Sequence, residues 1–222
     1  MSEPLLPFLL SLSVSIPAII GFIRFKKIDS AFYPFVYFIW AGLFSEIISY
    51  VLIKNHIRPA LFLNIYILTE FILLLWFFKN LGTFSKYPER FYIILFALTG
   101  IWLTENFIIG SLANIQSLFR ISYSVVLVLL GINEINKLVL TEKKKNITRN
   151  PICIICVGII ILYSFKILIE IFWVYAFNNF KENKFFRDNV YAIFQYINVI
   201  VNLVYALALL WIQKKKIFTK PF

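Results

Sequence analysis

The sequence predicts an all-α fold, a single polytopic membrane bundle of seven transmembrane helices with no separate soluble domain. Three observations predict it. Of the 222 residues 61% are hydrophobic and only 15% are charged, against roughly half and a quarter in an ordinary soluble domain. The mean hydropathy is +0.83, a surplus that a soluble core of this size cannot bury. The apolar residues fall into seven runs, each near the ~20 residues that a helix needs to cross a bilayer. Transmembrane strands would alternate over about ten residues; these runs are longer and apolar all round.

The first run, about 5–25, lies in MSEPLLPFLLSLSVSIPAII and the residues after it. It lacks the basic leading region of a cleaved signal peptide. Its first positive charges, Arg24, Lys26 and Lys27, follow the run, so it reads as a membrane helix whose N-terminus lies outside. Pro17 is expected to kink it, and Ser11, Ser13 and Ser15 to hydrogen-bond back to their own helix. The second and third runs, about 32–53 and 60–78, are parted by IRPA. The fourth and fifth, about 90–110 and 115–137, are parted by a turn at 110–114. TEKKKNITRNP precedes the sixth, about 151–176, and NNFKENKFFRDN precedes the seventh, about 189–212. Pro59, Pro88 and Pro151 fall at helix starts, where a missing N–H costs little.

Charge orients the bundle. Fifteen Lys and Arg lie in the first, third and fifth loops and the C-terminal tail, against five in the even loops. Positive residues favour the cytoplasm, so the N-terminus is expected outside, the C-terminus in the cytoplasm, and the protein in the cytoplasmic (inner) membrane. The net charge of +11 would suggest nucleic acid in a soluble chain. Here the bases sit at the ends of apolar runs, and no free basic surface remains to track a phosphate backbone. The partners expected are the lipid bilayer, a small polar or cationic ligand, and a membrane or cytoplasmic protein.

LFLNIYILTEFILLLWFF, residues 61–78, raises the functional question, because Glu70 sits near the middle of this apolar run. Glu46, Glu105, Arg120, Lys166 and Glu170 also lie inside apolar runs. Converted to depth at about 1.5 Å per residue, nearly all fall between the midplane and the outer surface. The cytoplasmic half reads as almost purely apolar, and Glu134 as a solvated residue at its rim. A charge at the bilayer centre costs roughly 2.5–3.5 kcal/mol on insertion scales, so such residues face a bundle interior or a cavity. Four acids against two bases leave two carboxylates without a cation, to be protonated, hydrated or bound to one. Lys166 and Glu170, four apart, are the pair expected to neutralise each other. The candidate binding residues are Glu46, Tyr66, Glu70, Glu105, Arg120, Lys166 and Glu170, with Tyr191, Gln195 and Asn198 from the seventh helix.

NIYILTEF (64–71) and NVYAIFQY (189–196) share N-x-Y-x-x-x-[E/Q]-[F/Y], and EIISYVLIKN (46–55) matches EIFWVYAFNN (170–179) at its Glu-Ile and at an Asn nine places on. These suggest a parallel 3+1+3 repeat, a plan known among transporters. In helix count and repeat sense the chain resembles the SWEET and PQ-loop sugar transporters, although their Pro-Gln motif is missing. It also resembles small seven-helix bacterial membrane proteins with a Ser-Glu-Ile-Ile motif in helix two and a Tyr-x-x-x-Glu-Phe motif in helix three, here Ser45–Ile48 and Tyr66–Phe71. That likeness implies family membership and no activity.

A single histidine, His56, and two cysteines, Cys153 and Cys156, cannot supply the three or four ligands of a zinc site, so no metal and no cofactor is expected. Cys153 and Cys156 read as small packing residues. Helix seven has no lysine before Lys214 to carry a retinal. Paired carboxylates can do acid–base work, but no nucleophile–histidine pair accompanies them, so an enzyme is not expected. The leading reading is a transporter of a small polar or cationic solute. The alternatives are a ligand-binding receptor or signalling component acting through a partner protein, and a structural membrane protein.

Overall fold

The computed structural model describes residues 10–110, 112, 117–141, 149–179 and 184–212, with the side chains of 141, 173–179 and 184–191 outside that description. Among the described residues seven α-helices follow one another. They are α1 (Ser15–Arg24), α2 (Tyr33–Lys54), α3 (Ala60–Asn80), α4 (Glu89–Leu103), α5 (Leu118–Thr141), α6 (Pro151–Asn179) and α7 (Lys184–Trp211). No strand occurs among the described residues. Six stretches, Ser30–Lys54, Ala60–Asn80, Glu89–Ile109, Leu118–Leu140, Pro151–Phe172 and Ala192–Trp211, are long and apolar enough to cross a membrane. Large apolar side chains such as Phe22, Phe96 and Ile108 are more than 70% exposed, as residues facing lipid must be.

The ends of the helices are set by local chemistry. Asp29 accepts a hydrogen bond from the Ala31 N–H at 2.9 Å and caps the 3₁₀ turn Ser30–Phe32 that leads into α2. Asn150 does the same for Ile152 at 2.9 Å, with Pro151 as the first residue of α6. At the far end of α2, His56 takes a positive φ of 59°. The Ile57 N–H reaches back to the Leu52 carbonyl and the His56 N–H to that of Ile53, closing a Schellman turn. Gly82, with φ 78°, closes α3 in the same way, the Thr83 and Gly82 N–H groups reaching the carbonyls of Phe78 and Lys79.

Pro17 distorts α1 near its start. It has no N–H for the carbonyl four residues back, and residues Leu12–Val14 form a 3₁₀ turn there. The serines do not bond only to their own helix as expected. Ser13 accepts from Asn202 of α7 at 2.8 Å, and Ser11 is hydrogen-bonded to Glu46 of α2.

The helices pack in a ring. α1 lies against both α2 and α7, α2 against α3, α5 against α6, and α6 against α7, while α4 contacts α3 and α5 and α3 also touches α5. Contacts between helix ends sort the two ends of the bundle. The Arg24 guanidinium closes the C-terminus of α7 by donating to the carbonyls of Leu210 and Ile212. Lys137 near the end of α5 lies 3.5 Å from the carbonyls of Leu81 and Gly82 at the end of α3. One end, the basic end, therefore gathers the finishes of α1, α3, α5 and α7. Towards it the core is aromatic, with Phe35 at 5.5 Å from Phe77 and edge-on to Tyr205 at 5.1 Å.

Candidate functional site

The middle of the bundle is built around Glu70, which is 2% exposed. Its place on α3 turns it inward with Ile67, Phe71 and Leu74. Its Oε1 accepts from the Tyr163 hydroxyl at 2.6 Å, the Tyr123 hydroxyl at 3.0 Å and the Lys166 ammonium at 2.5 Å. Tyr66, one turn earlier on α3, brings a third hydroxyl to the same carboxylate. Gly42 of α2 leaves room for that ring, since a Cβ there would stand 3.4 Å from the Tyr66 hydroxyl. Three helices, α3, α5 and α6, thus converge on one carboxylate. The Lys166 ammonium also lies 4.7 Å from the centre of the Tyr163 ring, a cation–π contact that holds it in place.

Glu170 does not pair with Lys166. Its Oε1 is 3.1 Å from Arg120 Nη1 of α5, and its Oε2 accepts from the Ser117 hydroxyl at 2.6 Å. The expected pair within α6 is therefore replaced by two pairs between helices, Lys166–Glu70 and Arg120–Glu170. Glu105 and Glu46 form no ion pair among the described residues. Glu105 Oε1 and Oε2 accept from the backbone N–H groups of Leu118 and Phe119, both at 2.7 Å, so a carboxylate of α4 caps the first turn of α5. It reaches that position because α4 widens into a π turn over Thr104–Ile109. Glu46 is half-buried and held by the Ser11 hydroxyl.

Beside the Glu70 cluster lies a cavity of about 10 Å³ between α3, α4 and α5, lined by Asn64, Ile67, Trp102, Glu105, Asn106, Phe119 and Arg120. Polar contacts brace its walls. The Trp102 indole donates to the Asn64 carbonyl at 3.1 Å, and the Asn106 amide donates to the Trp102 carbonyl at 2.9 Å. Asn106 Oδ1 and Arg120 Nε and Nη2 are buried with no partner among the described residues.

Of the ten candidate residues, Tyr66, Glu70 and Lys166 meet directly, and Arg120 and Glu170 form the adjoining pair. Glu105 borders the cavity beside Arg120, and Glu46 of α2 is near enough to Tyr66 and Lys166 to interact with both electrostatically. Gln195 and Asn198 are half-buried on α7 and make no hydrogen bond to this cluster among the described residues. The Tyr191 side chain lies outside the described residues. Sequence reasoning missed Tyr123, Tyr163, Asn106 and Ser117. The signal for the tyrosines was available, since Tyr123 follows Arg120 by three residues and Tyr163 precedes Lys166 by three, the spacing of one helical face.

Glu134 corrects the reading of the other half. It is 2% exposed rather than solvated, with the Lys137 ammonium at 3.6 Å. Tyr205 is also buried there, so that half is not purely apolar. Cys153 and Cys156 are free thiols one turn apart, and Cys156 is fully buried.

No family model, curated protein or solved structure matches the chain.

Proposed function

We propose that the chain is a multi-pass transporter of a small polar or cationic solute in the cytoplasmic membrane. In this reading its N-terminus is outside, its C-terminus is in the cytoplasm, and α1–α3 and α5–α7 are the two halves of a parallel 3+1+3 repeat around α4. It moves its solute and carries out no chemistry on it. The observation that carries the reading is the Glu70–Lys166 pair, joined across two helices at 2.5 Å near the middle of the bundle. Removing two charges from water is expensive, and apolar residues of similar volume would often be as stable. Ionisable residues at such depth mark solute and ion pathways. A pair between helices can also be exchanged. A cation or proton that takes the place of Lys166 on Glu70 releases α6 from α3, which is the kind of rearrangement alternating access needs.

A single cysteine tests this. Ile67→Cys, in a chain whose Cys153 and Cys156 are replaced by alanine, leaves the ion pair intact and puts a thiol in the wall of the cavity. The transporter reading expects a membrane-impermeant thiol reagent to label it from both sides of the membrane. Labelling from one side alone would sink transport and favour a receptor with a blind pocket. Labelling from neither side would make the cluster structural.

A further inference from the structure

The cavity beside Glu70 carries three polar atoms that have no partner among the described residues. Two are Arg120 Nε and Nη2. They form one edge of the guanidinium, the side-on pair of parallel N–H donors that matches the two oxygens of a carboxylate. The other terminal nitrogen, Nη1, is already spent on Glu170. The third atom is Oδ1 of Asn106, on a side chain 4% exposed. Buried donors and acceptors left without a partner are costly, and both residues line the same cavity.

At about 10 Å³ the cavity holds about one water molecule. A single water in reach of both side chains would accept from Nε and Nη2 and donate to Oδ1. A water placed so marks the position of an oxygen that a ligand can replace. The wall that must yield to a larger group is the π turn Thr104–Ile109, which supplies both Glu105 and Asn106. Such turns are rare and concentrate at functional sites.

Charge narrows the ligand. Arg120 and Lys166 stand among Glu70, Glu105 and Glu170, so the cluster is already short of positive charge and a simple anion is disfavoured. Asn64, Ile67 and Glu70 follow each other at three-residue steps along α3, so the Glu70 carboxylate lies about one turn, roughly 5 Å, beyond the cavity wall. An ammonium group at that spacing meets Glu70 while a carboxylate meets Arg120.

We propose that the Arg120–Asn106 cavity is a carboxylate subsite, and that the solute is a zwitterion carrying a carboxylate and an ammonium group, an amino acid or a near relative. This rests on the reading of the cluster as a solute site and narrows its chemistry.

The test is thermal unfolding of the purified full chain in detergent. The probes are the standard L-amino acids, the matching amines that lack the carboxylate, and the matching acids that lack the amine. At least one class of amino acid is expected to raise the melting temperature, with its amine and acid binding at least tenfold more weakly. Arg120→Lys keeps the charge and loses the fork, and should weaken that binding tenfold or more. Asn106→Asp, which places a negative charge against the carboxylate, should weaken it as well, and stands in if the first variant does not fold. Amines that bind as tightly as the amino acids would overturn the proposal, as would a wild-type protein that no amino acid stabilises; the cavity then holds water alone. The cysteine test separates this from the transport reading. Two-sided labelling without amino-acid binding leaves transport standing and removes the subsite. Amino-acid binding with one-sided labelling keeps the subsite and assigns it to a receptor.

Discussion

Glu70 and Lys166 form an ion pair inside the bundle. The carboxylate is 2% exposed and takes three of its hydrogen bonds at one oxygen, from Lys166 and from the tyrosines of α5 and α6. Removing one partner leaves the other buried and unpaired, which costs about 3–5 kcal/mol, whereas removing both is far less costly. Glu70→Gln and Lys166→Met should therefore each lower stability by about that amount in a denaturant titration in detergent. The double variant should recover at least half of the loss; if the two losses simply add, the groups are not coupled. Glu105 makes a different kind of bond. Its two oxygens hold two backbone N–H groups at the start of α5, and an amide can accept only one of them. Glu105→Gln should cost about 1–2 kcal/mol, the usual worth of a helix cap. Amide exchange at Leu118 and Phe119 should rise while exchange in the middle of α5 stays slow.

Between helices, close approach depends on small residues at particular places. A Cβ on Gly158 of α6 would stand 2.5 Å from the Tyr205 ring of α7, whereas one on Gly100 of α4 would meet nothing within 4 Å. Tyr205 is fully enclosed and cannot swing away into lipid. Gly158→Ala should cost roughly 1–3 kcal/mol by overpacking, and Gly100→Ala should be neutral or stabilise by up to about 1 kcal/mol by favouring the helix. The pair is read by melting temperature in one detergent, and equal effects would mean that α6 and α7 do not pack as described. His56, which closes α2 at φ 59°, carries a left-handed strain that glycine lacks. His56→Gly should add roughly 0.5–1 kcal/mol in the same assay. The helices themselves were legible in the sequence because a bilayer demands runs of a fixed length and apolarity; α2 and α3 fall within one or two residues of their runs, as does α4 taken with its π turn to Ile109. The partners of the buried charges were less so. Spacing on one helix pointed Lys166 at Glu170, but pairing across helices depends on how the ring closes, which no local pattern encodes. The π turn was invisible for the same reason. It adds no residue type of its own, yet it turns Glu105 onto the start of α5 and Asn106 into the cavity.

Across the whole molecule the two ends have different chemistry. At the basic end the cations are engaged in holding the bundle together. Lys79 lies 4.3 Å from the Phe91 ring centre and Arg90 4.2 Å from that of Tyr87, and Arg24 and Lys137 reach carbonyls at the ends of α7 and α3. Aromatic rings and long basic side chains at one level are what a membrane interface selects. The opposite end gathers Glu105, Arg120, Ser117 and Glu170, with the cavity beside them. Which end meets the cytoplasm decides from which side a solute first reaches Arg120. In the proposed orientation, argued from the excess of basic residues, the Gly82 turn lies inside and the His56 turn outside. In the cysteine-free chain, Ile57→Cys should accept an impermeant thiol reagent in intact cells, while Ser85→Cys should accept it only after the membrane is opened. Both side chains are exposed beyond their helices, so failure to label reflects the membrane rather than burial. Were Ser85→Cys labelled in intact cells and Ile57→Cys protected, the bundle would be inverted. The carboxylate subsite would then load from the cytoplasm, and the same residues would describe an exporter.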